Sequence, residues 1–296
     1  MAAAPDPRSA PAPTPVSVVI PAHDEEAVIG RCLEALTRDA EPGELEVVVV
    51  CNGCRDGTAA VARAAEPSAT VVELTAASKS AALNAGDEHA TRFPRVYLDA
   101  DIELPIGVLR ATVQALASPG VLCAAPAPAF ELRGRPRLVR AYFEVWQQLP
   151  YLTEEMVGTG VYALSEPGRR RFDRFPDLTA DDQFVLQQFD RGERRSLQDE
   201  HFVVHTPTTL KGLVAIRRRA YRGAAELEAS GRAPHGKADR AGRRLLQLAS
   251  SPRNWFPVTV FVTISAVAKL RARFGGGRAW ERDDSARQAA EGPRAT

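Results

Sequence analysis

Cysteine is scarce in this chain: Cys32, Cys51, Cys54 and Cys123 are the four in 296 residues. They are too few and too irregularly spaced for a disulfide framework, and no second Cys/His pair completes a zinc-finger spacing, so a reducing, cytoplasmic setting is expected. Aromatic residues make up 6% of the chain. None of them forms a stacking platform in the basic C-terminal segment, which argues against a nucleic-acid partner. The opening run "MAAAPDPRSAPAPTP" has no apolar core after its positive charge, so residues 1–15 read as a disordered lead-in rather than a signal peptide. The apolar stretch "NWFPVTVFVTISAVAKL" (254–270) is interrupted by Pro257, Thr259, Thr263 and Ser265. It falls short of the roughly 20 residues a spanning helix needs, and an interfacial helix, or one packed on the preceding domain, is expected instead.

What is present is an ordinary globular composition, 45% hydrophobic and 25% charged, enough for one large α/β domain or two small ones. The formal net charge of +1 hides an asymmetry. From His205 to Arg278 there are 15 Lys and Arg against three acids, a balance of +12 that leaves −11 for the remainder. A basic third of this kind fits an anionic neighbour such as a diphosphate, a bilayer surface or a nucleic acid, or else a solvated helix face. Basic residues flank the apolar stretch in "RRLLQLAS" and "KLRARF", which points to peripheral contact with the inner face of a cell membrane. The domain organisation expected is a main domain over 16–229, a basic helical extension over 230–274 and a flexible tail over 275–296.

Along the main domain, β-branched runs "VSVVI" (16–20), "LEVVVV" (45–50), "ATVVEL" (69–74) and "RVYLDA" (95–100) alternate with helical patterns over 25–39, 57–66 and 78–92. Such an order predicts a mainly parallel sheet with right-handed crossovers, whose ligands lie beyond the carboxyl ends of the strands. The residues at those ends are Pro21-Ala22-His23-Asp24-Glu25, Cys51 to Asp56, and Asp99-Ala100-Asp101. Two carboxylates two residues apart on a turn suit one hard divalent cation with open positions for phosphate oxygens. A redox role for Cys51 and Cys54 is disfavoured, because the expected helix begins after Asp56, beyond both sulfurs; Asp56 itself is expected to cap that helix. "VGTGVYALS" (157–165) lacks the third glycine of a dinucleotide loop and follows the wrong strand. Trp146 and Tyr151 fit either a sugar-stacking wall or ordinary core.

Six segments in order, "VSVVIPAHDEEAVIGRCLEAL", "VVVVCNGCRDGTAAVA", "SKSAALNAG", "VYLDADIELP", "TADDQFV" and "RRRAYRG", resemble the family 2 glycosyltransferases over roughly residues 16 to 223. The resemblance implies the GT-A fold, a Rossmann-like sheet flanked by helices, here with a C-terminal helical extension. It implies inverting transfer of a sugar from a nucleotide diphosphate to an acceptor hydroxyl by single displacement, in cell-surface or secondary-metabolite glycan biosynthesis. Mn²⁺ or Mg²⁺ would be held by Asp99 and Asp101 of the Asp-x-Asp motif. Asp182 falls where the family has its catalytic base, with Asp181 in a positioning role. Pro21, Ala22, Asp24, Glu25, Asn52, Lys79, Asp99, Arg219 and Arg222 fall where members contact the nucleotide or its diphosphate. Among the five histidines, His205 alone follows an expected strand, "HFVVH", and lies where GT-A enzymes place a residue on the metal or diphosphate. The Gly-containing segment near 157–165 would line the acceptor side.

Cys51-Asn52 replaces the acid pair that many members carry after the second strand, so the usual carboxylate-to-base hydrogen bond is lost and Asn52 is left to make that contact. The acceptor expected is a saccharide, a lipid-linked molecule or a small molecule. Processive synthesis is not expected, since "RRRAY" matches only part of the Gln-x-x-Arg-Trp motif of polysaccharide synthases. Two other readings compete. A haloacid-dehalogenase-type phosphatase would carry its Asp-x-Asp after the first strand, whereas "DADIE" comes after the fourth. A non-catalytic nucleotide-sugar-binding protein would have no need of Asp99, Asp101 and Asp182 together.

Overall fold

The computed structural model describes residues 13–153, 160–230 and 237–274. The lead-in up to residue 12, His235, the first glycine of "VGTGVYALS" (Gly158), the tail from 275 and the side chain of Tyr151 lie outside the described residues. Within the described chain the β-branched runs become strands and the alternating segments become helices: β1 (Val16–Ala22), α1 (Ile29–Thr37), β2 (Leu45–Asn52), α2 (Thr58–Ala65), β3 (Thr70–Leu74), α3 (Lys79–His89) and β4 (Arg95–Leu98). β3, β2, β1 and β4 pair in parallel, with Val16 opposite Leu45 and Ser17 opposite Arg95. The period of two divides β1 between faces: Val16, Val18 and Ile20 pack with α1, while Val19 packs with Ala82 and Leu83 of α3. Both faces are covered, which is why these strands read as unbroken apolar runs.

The chain continues through β5 (Ile102–Glu103), α4 (Ile106–Ala115), β6 (Cys123–Glu131), α5 (Arg137–Trp146), α6 (Pro150–Thr153), β7 (Val161–Leu164), α7 (Glu166–Arg169), α8 (Asp181–Leu186) and β8 (Arg194–His205). The sheet order is β3-β2-β1-β4-β7-β6-β8-β5. β7 runs antiparallel to β4 and β6, and β5 antiparallel to β8, whereas β6 and β8 are parallel. β6 has the sequence "CAAPAPAFE", with prolines at alternate positions. It tolerates them because β7 pairs only with Cys123 and Ala124, so beyond that point one edge of β6 needs no donor.

Three helices close the chain: α9 (Leu210–Ala229), α10 (Lys237–Ala249) and α11 (Trp255–Phe274). The apolar stretch is longer than its sequence suggests. With the turn before it, Pro252–Phe274 is long and apolar enough to cross a membrane by length and composition alone, but a third of it is buried. Val260, Phe261 and Ile264 share one apolar cluster with Tyr142 and Phe143 of α5 and Leu213 of α9, and Phe261 stacks on Tyr142 at 4.9 Å. A second correction concerns α2, whose N-cap is Gly57 rather than Asp56. Asp56 stands one residue earlier and accepts from the Thr58 N–H at 3.1 Å.

Candidate active site

The parallel strands end at one edge of the sheet, and the Asp-x-Asp turn leaves β4 there. Asp99 is half-buried, Ala100 buried and Asp101 exposed. The Asp99 N–H donates to the Gly160 carbonyl at 2.8 Å, which ties the turn to the segment entering β7. Gly160 has φ +101°, and a Cβ there would lie 3.1 Å from Asp99 Oδ2. Only glycine both adopts that conformation without strain and leaves space beside the carboxylate.

Lys79 opens α3, whose N-cap Ser78 accepts from the Ala81 N–H. Its Nζ lies 2.8 Å from Asp99 Oδ1 and 3.1 Å from Asp181 Oδ1. Burial works against this ammonium, but Asp181 and Asp99 outweigh it and hold its pKa above the ordinary lysine value. Lys79, expected to meet the nucleotide, is thus a bridge between the metal-motif turn and α8. Asp181 is buried, and burial raises its pKa against the opposing pull of Lys79.

Asp182, beside it, accepts from the Gln183 N–H at 2.7 Å. Burial followed by the Asp181 charge pushes Asp182 up to about 7, against the pull of the Gln183 N–H at the start of the six-residue α8. α9 lies close against the start of α8 because Gly223 has no side chain; a Cβ there would come within 3.1 Å of Ala180. That approach brings Arg219 into the lining of the cavity shared by Asp99, Asp101, Asp181 and Asp182. Arg222, three residues on along α9, is not part of that lining.

The ends of β1 and β2 make a second wall. Pro21, His23, Glu25, Asn52 and Arg219 border a small recess next to Asp99 and Asp101. Asn52 is buried and already engaged, donating to the Ala22 carbonyl at 2.7 Å and accepting from the Ser78 N–H at 3.1 Å. Asp24 accepts from the Arg55 N–H at 2.5 Å and has φ +49°. The buried Glu25 offers its N–H to Thr58 Oγ1 at 2.7 Å. The four cysteines carry free thiols. Cys51 is buried and donates to the Cys54 sulfur, which pushes Cys54 down to about 7 and Cys51 up.

Tested as a cation site, Asp99 and Asp101 fit. They supply hard oxygen donors on one cavity wall, and the missing Cβ of Gly160 keeps the space beside Asp99 Oδ2 open. Among the described residues, the set of three metal-binding side chains within 4.8 Å of one another is His23, Asp24 and Cys54, which does not include this pair. Asp99 and Asp101 would therefore leave most coordination positions to a ligand. His205 lines the same cavity, but its Nε2 lies 2.7 Å from Glu103 Oε1, which Arg31 Nε also meets at 2.7 Å. As placed, that ring nitrogen is occupied by Glu103.

Arg31, Glu103 and Tyr162 all escape sequence reasoning. The Tyr162 hydroxyl is buried without a hydrogen-bond partner among the described residues, in a cavity wall that also carries Asp181 and Asp182. An aromatic in a strand carries no sequence signal that distinguishes it from core.

A model of glycosyl transferase family 2 matches residues 17–174. The curated glycosyltransferase AglE of Haloferax volcanii is 36% identical over 91 residues, a match spanning 29% of this chain and 30% of that protein. Among solved structures, the mannosyltransferase PcManGT of Pyrobaculum calidifontis, in complex with GDP-Man and Mn²⁺, is similar with a TM-score of 0.64 at 23% identity, over 91% of this chain and 92% of that one. Glucosyl-3-phosphoglycerate synthase of Mycobacterium tuberculosis, in complex with Mn²⁺, UDP and glucosyl-3-phosphoglycerate, has a TM-score of 0.54 at 21% identity over 76% and 82% of the two chains. The order β3-β2-β1-β4 with the Asp-x-Asp turn after β4, and a family model covering more than half of the sequence, lead to one statement: the chain belongs to glycosyl transferase family 2.

Proposed function

We propose that the cavity at the strand ends transfers a sugar from a nucleotide diphosphate to an acceptor hydroxyl, with inversion at the anomeric carbon. The observation that carries this reading is the meeting of Asp99, Asp101, Lys79, Asp182 and Arg219 in one cavity of 840 Å³. The structural neighbours that bind GDP-Man or UDP with Mn²⁺ support the same class of donor here.

Asp101 and Asp99 would hold a divalent cation, Mn²⁺ or Mg²⁺, whose charge neutralises the departing diphosphate. Arg219 adds positive charge on the same side. Lys79 keeps Asp99 and Asp181 at fixed separation, so the cation motif and the base are placed by one side chain. Asp182 takes the proton of the acceptor hydroxyl as its oxygen attacks. A carboxyl raised to about 7 suits a base working near neutral pH. The edge of the recess lined by Pro21, Glu25 and Asn52 receives the nucleotide, with Ala22 and Asp24 shaping the loop behind it and Arg222 supporting α9. Asn52 has one amide hydrogen beyond its bond to Ala22 and one oxygen lone pair beyond its bond from the Ser78 N–H with which to meet the base.

The test is a thermal-shift panel of nucleoside diphosphates with Mn²⁺, followed by NMR of the sugar transferred from the matching donor. A stabilising nucleotide and a product of inverted anomeric configuration are expected. Retained configuration would overturn the single displacement, and no stabilisation by any nucleoside diphosphate would overturn the reading as a whole.

A further inference from the structure

The cavity does not stop at the carboxylates. It continues into a chamber walled by β6, α5, α9, α10 and α11, where Phe130, Trp146, Ile216, Leu245, Phe261 and Val262 supply the surface. Among the described residues, the acids of the lining are Asp99, Asp101, Asp181 and Asp182, all at the sheet end. Two of the chamber's cations lie on aromatic rings, Arg217 at 5.0 Å from the centroid of Trp146 and Lys269 Nζ at 5.2 Å from that of Tyr221, and Arg240 of α10 is a third lining cation.

The chamber opens along α11. Val262, Ala266 and Lys269 line it and are at the same time exposed. Val262 and Ala266 continue at a spacing of four into Leu270 and Phe274, which are 58% and 81% exposed, so an apolar ridge runs outward from the mouth. α11 thus has two apolar faces, one packed on α5 and α9 and one leading out of the chamber.

Resting on the transferase reading above, we propose that the acceptor is an amphiphile: a hydroxyl-bearing head at Asp182, with an aliphatic body that fills the chamber and leaves along the Val262–Ala266–Leu270–Phe274 ridge. Arg217, Arg240, Ser265 and Lys269 also line the chamber, but a saccharide filling it would set most of its hydroxyls against the aromatic and aliphatic surface, and hydroxyls buried without a partner are costly. An aliphatic chain meets the opposite situation and binds about fourfold more tightly for each methylene it buries.

The test uses the full chain and four probes below their micellar concentrations: methyl, butyl, hexyl and octyl β-D-glucoside. Emission from Trp146 in the chamber wall reports binding, with Trp146→Phe as the control for its origin. Affinity is expected to climb by about fourfold per methylene to a plateau, and Ala266→Phe at the mouth should weaken octyl glucoside by at least tenfold. Equal affinity along the series, or an Ala266→Phe protein that binds octyl glucoside as the wild type does, would overturn the proposal. A dimer that Leu270→Glu dissociates would assign the ridge to a second copy and overturn it too. Heats of UDP and GDP binding with Mn²⁺, measured on the same protein, keep the two readings apart. Graded alkyl binding without nucleotide binding would defeat the transferase reading and leave the chamber assignment, and the reverse would defeat the chamber alone.

Discussion

Adjacent carboxylates can be set to different tasks by their surroundings, and Asp181 and Asp182 are separated in this way. Asp181 faces the Lys79 ammonium at 3.1 Å and is committed to it. Asp182 feels Lys79 less than it feels burial and the Asp181 charge, which raise it to about 7. A base must be deprotonated to act, so transfer should rise with pH through about 7 and level off above it. Asp182→Asn should lower the transfer rate by ~10²–10⁴-fold and erase that pH step, with nucleotide affinity near the wild-type value. An unchanged step in the variant would assign it to another group. The same kind of reasoning applies to the thiols. Cys54 is half-buried and held down to about 7 by the Cys51 thiol, whereas burial raises Cys32 and Cys123. Iodoacetamide should modify Cys54 first, with a rate that climbs through pH 7, as peptide mass mapping would show. Cys51→Ala should shift that reactivity to higher pH, because it removes the side chain that donates to Cys54.

At the level of elements, the parallel half of the sheet was legible because β1, β2, β3 and β4 are β-branched runs separated by helical periods, and each strand end could be named before its neighbours were known. The antiparallel half was not. β6 is built from alanine and proline and has no strand propensity; its place depends on Leu197 to His205 of β8 lying alongside, which no local pattern encodes. The Asp-x-Asp turn and the acids of α8 were readable as motifs. Their connection through Lys79 was not, since Lys79 and Asp181 are far apart in sequence and only the packing of α3 against β1 and β2 brings them together. Arg222 illustrates the limit of motif reading: it belongs to the same basic cluster as Arg219, but the helical turn takes it out of the cavity lining.

The junction of α3, β4 and α7 is also an element-scale feature. The buried Asp87 carboxylate accepts from Arg95, from Tyr97 Oη at 2.7 Å and from Arg169 Nε at 2.6 Å. Asp87→Ala would leave two largely buried guanidinium groups without their acid, and unfolding by denaturant should show a loss of about 3–5 kcal/mol. Gly160→Ala tests the other side of the same strands. It forces a strained φ and crowds Asp99 Oδ2, so metal-dependent nucleotide binding should weaken and unfolding by denaturant should show a loss of about 1–3 kcal/mol.

Over the whole molecule, charge and hydropathy are segregated along the chain. The acidic excess lies in the part that forms the sheet and its motifs, and the basic excess begins at His205. Arg219 carries part of that excess into the cavity, while Arg253, Lys269, Arg271 and Arg273 flank the exposed apolar ridge of α11. This arrangement suits contact with an anionic bilayer, where basic groups add attraction and the ridge supplies apolar burial. The protein should co-sediment with anionic vesicles and not with neutral ones, and salt should release it, since the attraction is screened over ~10 Å. Equal sedimentation with both kinds, or with neither, would restrict the ridge to the acceptor.

All of these scales converge on the cation and diphosphate site proposed at Asp99 and Asp101, and titration calorimetry of the nucleoside diphosphate selected by thermal shift addresses it most directly. The account predicts saturable binding by the wild-type protein that requires Mn²⁺ or Mg²⁺. In Asp101→Ala, with the exposed carboxylate gone, that metal-dependent binding should be lost while the fold is kept. Binding of equal strength in Asp101→Ala, or binding by the wild type that ignores the metal, would contradict it.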